Sequence, residues 1–200
     1  MSDELNEAND NTLLAEATKP FYVVSFSKFM WLFIGTFGAY ELFWVRCHWL
    51  QQKLLTGIPM QPFWRGVFDI FWINSLFRTI DETRAEKNIE YSWSWPALSG
   101  FFIIVMILDH STTRLSLSSS IDWHVANLFF LLGYVFFVLR GWIMWRAQKL
   151  ANLICDDPTG SSNTKLVWWQ YIVIVIMSAM MLFSTYVSVS ELMEGAPWPN

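Results

Sequence analysis

Four apolar stretches, each about twenty residues long, alternate along this chain with polar segments that carry nearly all of its charge. Such lengths predict membrane-crossing helices, because roughly 20 residues at the helical rise cover a hydrocarbon core. The first runs over about 28–49, apolar or small from Phe29 to Val45 except for Glu41. The second covers about 91–108, with Trp93 and Trp95 at its start, and the third about 123–145, free of charge from Val125 to Leu139. The fourth, about 166–189, has no charged residue from Leu166 to Val189. The expected fold is all-α and membrane-integral, with four transmembrane helices.

A fifth apolar segment, about 62–78, is interrupted by Arg65, Asp69, Asn74 and Arg78. A central Arg or Asp costs about 2.5–3.5 kcal/mol on insertion, so sixteen or so residues with such charges span poorly. The expectation is an interfacial or re-entrant amphipathic helix whose polar face carries Arg65, Asp69 and Arg78, with Trp64 and Trp72 at headgroup level.

Composition agrees. Hydrophobic residues are 54% and charged residues 15% of the chain, against roughly 25% charge in soluble domains. The 13 Trp fit a headgroup layer, where the ring can be half apolar and half wet. Residues 1–20 form an acidic tail, with Asp3, Glu4, Glu7, Asp10 and Glu16 against Lys19, and are expected to be disordered. The tail lacks the basic start of a secretory signal. Residues 21–200 then form a single helical membrane domain. The net charge of −4 comes largely from the tail and gives no reason to expect nucleic acid.

Basic residues set an orientation. With four crossings, Arg46, Lys53, Arg65, Arg78, Arg84 and Lys87 share one side with Arg140, Arg146, Lys149 and Lys165, leaving Lys19, Lys28 and Arg114 opposite. Under the positive-inside rule the larger set is cytoplasmic and both termini are outside. Cys47 and Cys155 fall on the reducing side, where neither a disulfide nor a metal site is expected.

Ionisable residues inside spans pair or line a wet cavity. Glu41 and Arg140 lie at similar depth below the inner boundary and are expected to meet, with Arg46 as the competing partner. The pair reads either as a proton or ligand site or as a device fixing helix register. Gly35 and Ala39, like Ser184 and Ser188, have the small-residue spacing that lets helices approach closely, and are expected to pack within the chain. Asp109, His110, Asp122 and His124 are weak candidates for an external metal site, at spacings that match no known ligand pattern. Ser116, Ser118, Ser119 and Ser120 lack a nucleophile turn. No cofactor is implied.

The opening Phe21-Tyr22-Val23-Val24-Ser25, then Lys28-Phe29, Thr36-Phe37-Gly38-Ala39-Tyr40-Glu41 and Trp44, resembles the start of an uncharacterised family of small bacterial multi-pass membrane proteins. Pro62-Phe63, Arg65, Ser75-Leu76-Phe77-Arg78 and Asp157-Pro158 followed by Gly160-Ser161-Ser162-Asn163 extend the resemblance. It implies a bacterial inner membrane and no catalytic activity. The expected function is that of a non-enzymatic accessory or scaffolding protein of the envelope, whose partners are the lipid bilayer and a possible protein bound through helices or cytoplasmic loops. The alternative is a small transporter or channel-like protein with a polar site at Glu41 and Arg140.

Overall fold

The computed structural model describes residues 19–195 other than Leu117, Ser119 and Ser120; the acidic tail lies outside the described residues. Described side chains also exclude those of Trp123, Ser184, Ser188, Val189 and residues 191–195. The chain is all-helical, with no strand among the described residues. Its helices are α1 (Phe26–Gly35), α2 (Tyr40–Thr56), α3 (Pro62–Val67), α4 (Asp69–Glu86), α5 (Trp95–Ser116), α6 (Trp123–Ile154) and α7 (Trp168–Gly195). Three of them, α5, α6 and α7, contain stretches long and apolar enough to cross a membrane.

The stretch expected to form one helix over 28–49 is instead two helices folded against each other. Ser25 caps the start of α1 by accepting from the Lys28 amide at 3.3 Å. At the other end the Gly38 amide donates to Phe33 O at 2.9 Å and the Phe37 amide to Ile34 O at 3.0 Å. That is a Schellman ending, which needs a left-handed residue just past the cap. Phe37 supplies it at φ 50°, and Gly38 follows at φ 88°. The Tyr40 amide at the head of α2 is satisfied by Thr36 Oγ1 at 2.9 Å.

Cross-contacts show the reversal. Gln52 Nε2 donates to Pro20 O at 2.7 Å, Tyr22 meets the Phe43 ring, and Phe29 meets the Tyr40 ring at 5.7 Å. The two helices therefore run antiparallel about a tip at Thr36–Ala39.

The 62–78 segment is also broken. Phe68 leaves helical geometry at φ −107°, ψ 44°, separating α3 from α4. Gly66 sits so close to α2 that a Cβ there would lie 2.5 Å from Leu42 O, so α3 lies directly on α2. Helix α4 then runs back beside α5, where Ser99 Oγ donates to Asn74 Oδ1 at 2.8 Å and Phe77 meets Phe102. It continues as one helix through the charged run to Glu86, beyond the expected end near 78. A second hairpin results, with its tip at Val67–Asp69.

Both hairpins bury their apolar faces against one end of α6. Phe21, Phe29, Phe33, Trp44, Ile73, Phe77, Ile143, Met144 and Leu150 form this core. Helix α6 has 32 residues and is about 48 Å long, more than the ~30 Å of a hydrocarbon core, and its last turns hold the buried Gln148 and Asn152. Those turns receive the strap from Pro20 to Ser25: Asn152 Nδ2 donates to Val24 O and Gln148 Nε2 to Tyr22 O, each at 2.9 Å. Lys28 Nζ reaches Asn163 Oδ1 at 2.6 Å and Lys165 O at 2.7 Å, and Lys19 Nζ reaches Ser162 at 3.0 Å. The four-crossing expectation sets Lys19 and Lys28 across the membrane from Lys165. Because 28–49 doubles back, they sit together.

Candidate functional site

The hairpin tips carry charge into the middle of the bundle. Glu41 lies in the first turn of α2, and Asp69 opens α4. Asp109 is about 21 Å along α5 from Trp95, and Arg140 about 24 Å along α6 from His124. Arg140 Nε lies 3.2 Å from Glu41 Oε2, and its Nη1 lies 3.1 Å from Asp109 Oδ2. Asp69 is a further close neighbour of Glu41. Glu41, Asp69 and Arg140 are all buried. Arg46, the alternative partner for Glu41, instead packs its Cβ beside Gly66.

The Glu41–Arg140 contact is close in distance but not aligned as a hydrogen bond. Glu41 Oε2 and Arg140 Nε are both buried without a hydrogen-bond partner. Gly38 makes room for the guanidinium, since a Cβ at that position would collide with Arg140 Nη2. Both helix starts also point their amide ends toward this place. Neither Ala39 nor Phe68 caps its helix with its own side chain, although Thr36 Oγ1 takes the Tyr40 amide, and both carboxylates lie in first turns, at the positive helix ends.

A second set of buried polar groups leads from the cluster toward the strap. Glu41, His48 and Gln52 share one face of α2, and Arg140, Gln148 and Asn152 recur at four- or eight-residue steps on α6. Trp44 Nε1 and His48 Nε2 both meet Gln148 Oε1, at 2.5 Å and 3.2 Å. An indole N–H can only donate, so this orientation of the Gln148 amide is fixed by Trp44. Gln148 Nε2 passes the chain on to Asn152 Oδ1 at 2.7 Å. His48, Gln52, Gln148 and Asn152 are not among the sequence candidates, although their helical spacing on two apolar segments is a usable signal.

The remaining sequence candidates disperse. Arg65 lies between the Trp49 and Trp72 rings, whereas Arg78 is exposed and pairs with Glu82 at 2.8 Å, so Arg65, Asp69 and Arg78 do not form one polar face. His110 Nδ1 contacts Met106 O at 2.8 Å, and Asp122 caps α6 by accepting from the His124 amide at 2.9 Å. Among the described residues no three acid, His or Cys groups converge to hold a metal ion. Gly35 packs on Ile174 of α7, and Ser178 Oγ donates to Gly35 O at 3.1 Å. The side chains of Ser184 and Ser188 lie outside the description.

Beyond the tip of the second hairpin, a groove of about 370 Å³ is lined by Ile70, Met106, Ile107, His110, Ser111 and Arg114. It adjoins the positions of Asp69 and Asp109 in sequence and opens at the end of α5 away from the strap. Comparisons with known proteins found no matching family model, no similar curated protein and no similar solved structure.

Proposed function

We propose that this chain is a small channel- or transporter-like protein of a bacterial inner membrane, in which Glu41, Asp69, Asp109 and Arg140 hold one exchangeable proton. The carrying observation is a charge imbalance at a buried site. Three carboxylates face one guanidinium, and two helix N-termini add about half a positive charge each. One negative charge is left over. A net charge buried away from water is costly, so one bound proton balances the site.

The topology fits this use. In this reading α5, α6 and α7 cross the bilayer and the two hairpins are re-entrant, entering and leaving on the strap side. Non-helical backbone at membrane depth is tolerated where protein buries it, and Thr36, Gly38 and Asp69 at the two tips are buried. Every Lys and Arg except Arg140, within the bundle, and Arg114 then falls on the strap side, which makes that side cytoplasmic and the C-terminus external. The polar face of α2 and α6 supports an approach from inside, and the groove at His110 and Arg114 supports one from outside.

Proton flux into proteoliposomes, driven by a potassium diffusion potential and read with an internal pH dye, tests the proposal. Wild-type protein should carry flux well above empty vesicles, and Glu41→Gln and Asp69→Asn should each lower it at least tenfold. Flux no faster than in protein-free vesicles would overturn it and return the chain to the accessory or scaffolding role.

A further inference from the structure

We propose that the Trp49–Arg65–Trp72 clamp binds the phosphate of an anionic phospholipid in the leaflet facing the basic end of the protein. Arg65 Cζ stands 4.1 Å from the Trp49 ring centroid and 4.2 Å from that of Trp72. The indoles lie at 80° to each other, with centroids 6.4 Å apart. Among the described residues Arg65 has no carboxylate partner, and its one polar contact is Met60 Sδ at 3.7 Å. Aromatic contact holds the guanidinium plane while leaving edge N–H groups to donate. A planar fork held in place is the geometry that suits bidentate phosphate binding.

Depth selects a lipid. The Phe43 ring meets Trp169, in the first turn of α7, at 5.6 Å. Trp49 stands about 9 Å further along α2, toward the basic end. With the start of α7 at the edge of the hydrocarbon, that distance carries Trp49 to the watery side of the headgroup layer, which is about 5–8 Å thick on each side. Trp64, Phe68 and Phe71, near Arg65 in sequence, are exposed and offer acyl-chain contact. The uncompensated charge favours an anionic headgroup, because a choline ammonium would oppose the guanidinium.

The test adds lipid to the purified full-length protein in detergent and follows thermal unfolding. Phosphatidylglycerol should raise Tm saturably, while phosphatidylcholine and inorganic phosphate should not. Arg65→Met should abolish the rise, and Arg65→Lys, which keeps the charge but loses the flat fork, should weaken apparent affinity several-fold. An equal rise with phosphatidylcholine, a rise with inorganic phosphate, or a full phosphatidylglycerol response in Arg65→Met would overturn the proposal. If Arg65→Met does not fold, native mass spectrometry from nanodiscs of equal phosphatidylglycerol and phosphatidylcholine decides. Wild type should retain phosphatidylglycerol preferentially and Arg65→Lys should not; no preference in wild type, or the same preference in both proteins, overturns it.

Discussion

Helix α7 and the stretch from Lys28 to Trp49 are both long apolar runs, yet one continues as a single rod and the other doubles back. From Trp168 to Val187, α7 contains no Gly, Pro or charged residue, and only 6% of its apolar window is buried in protein. Lipid can solvate it on almost every side. The Lys28–Trp49 stretch holds Gly35, Gly38, Glu41 and His48, and each of these needs protein beside it. Folding back gives Glu41 and His48 the polar face of α6 and gives Gly35 a close seat on α7. Hydropathy measures what lipid will accept. It does not measure what a segment needs from its neighbours.

The most decisive attack on this contrast is all-or-none. Single cysteines replacing Lys19, Lys165 and Arg114 should be labelled by an impermeant maleimide with Lys19→Cys and Lys165→Cys accessible from one face and Arg114→Cys from the other. The native thiols should stay silent. Cys47 and Cys155 are buried, and burial pushes the Cys155 thiol up to about 11, so it is protonated and unreactive at neutral pH. Labelling of Lys19→Cys and Lys165→Cys from opposite faces would restore a single helix over 28–49.

Next comes the tip itself. Gly38→Ala places a Cβ at φ 88° and against Arg140 Nη2, so it strains the backbone and dislodges the ion pairs. The expected loss is about 3–5 kcal/mol, most of it from uncoupling buried charge. Gly57→Ala is the control: φ is 67° there, but nothing lies within 4 Å of the added carbon. It should cost only about 1 kcal/mol. Equal losses in chemical denaturation would mean that Arg140 is not seated tightly on the tip.

Much of the all-helical organisation is readable in the residues, and the reasons for the rest are specific. The α7 segment and the outer part of α6 need no partner, so composition and length describe them completely. The tip at Thr36–Ala39 is harder, because Phe37 adopts φ 50° without being glycine and the turn closes through Thr36 Oγ1. The 62–78 segment carries enough charge to argue against spanning. Its actual break at Phe68 depends on Gly66 meeting α2, a long-range packing choice that local pattern does not encode. At the site, Glu41 and Arg140 stand out as isolated charges in apolar runs. Asp109 reads as a loop residue because α5 extends to Ser116, beyond the expected end near 108.

A smaller effect separates the two regions by their polar groups. Gln148→Leu removes the acceptor for Trp44 and His48 and the donor to Tyr22 O, all at a fully buried residue. Leaving such groups unsatisfied should cost about 2–3 kcal/mol. On α7, Ser178→Ala removes one bond to Gly35 O and should cost about 1 kcal/mol or less. A loss of equal size at both positions, read from thermal unfolding in the same detergent, would erase the distinction between a lipid-solvated helix and a protein-solvated hairpin.

The smallest expected effect lies where the strap that anchors the first hairpin meets the turn leading to α7. Asp157 accepts from the Ser161 amide at 2.8 Å, the Ser161 hydroxyl at 2.9 Å and the Ser162 amide at 2.8 Å. Burial pushes its carboxyl up, but the bonds from Ser162 and Ser161 outweigh this and hold it well below the usual carboxylate range. The ordered turn brings Gly160 against the Val24 backbone and lets Asn163 Nδ2 donate to Val23 O at 2.7 Å. Because the folded carboxyl is more acidic than the unfolded one, its contribution is complete at neutral pH. It should fade as pH falls below about 4, the ordinary Asp value, toward the lower folded one. Asp157→Asn should therefore cost about 1 kcal/mol at pH 7, and the gap from wild type should close on acidification. The same substitution should speed amide exchange at Ser25, whose N–H donates to Asn163 O at 3.2 Å, while leaving amides in the middle of α7 unchanged. A gap that widens in acid would mean that the protonated carboxyl, not the carboxylate, holds the turn.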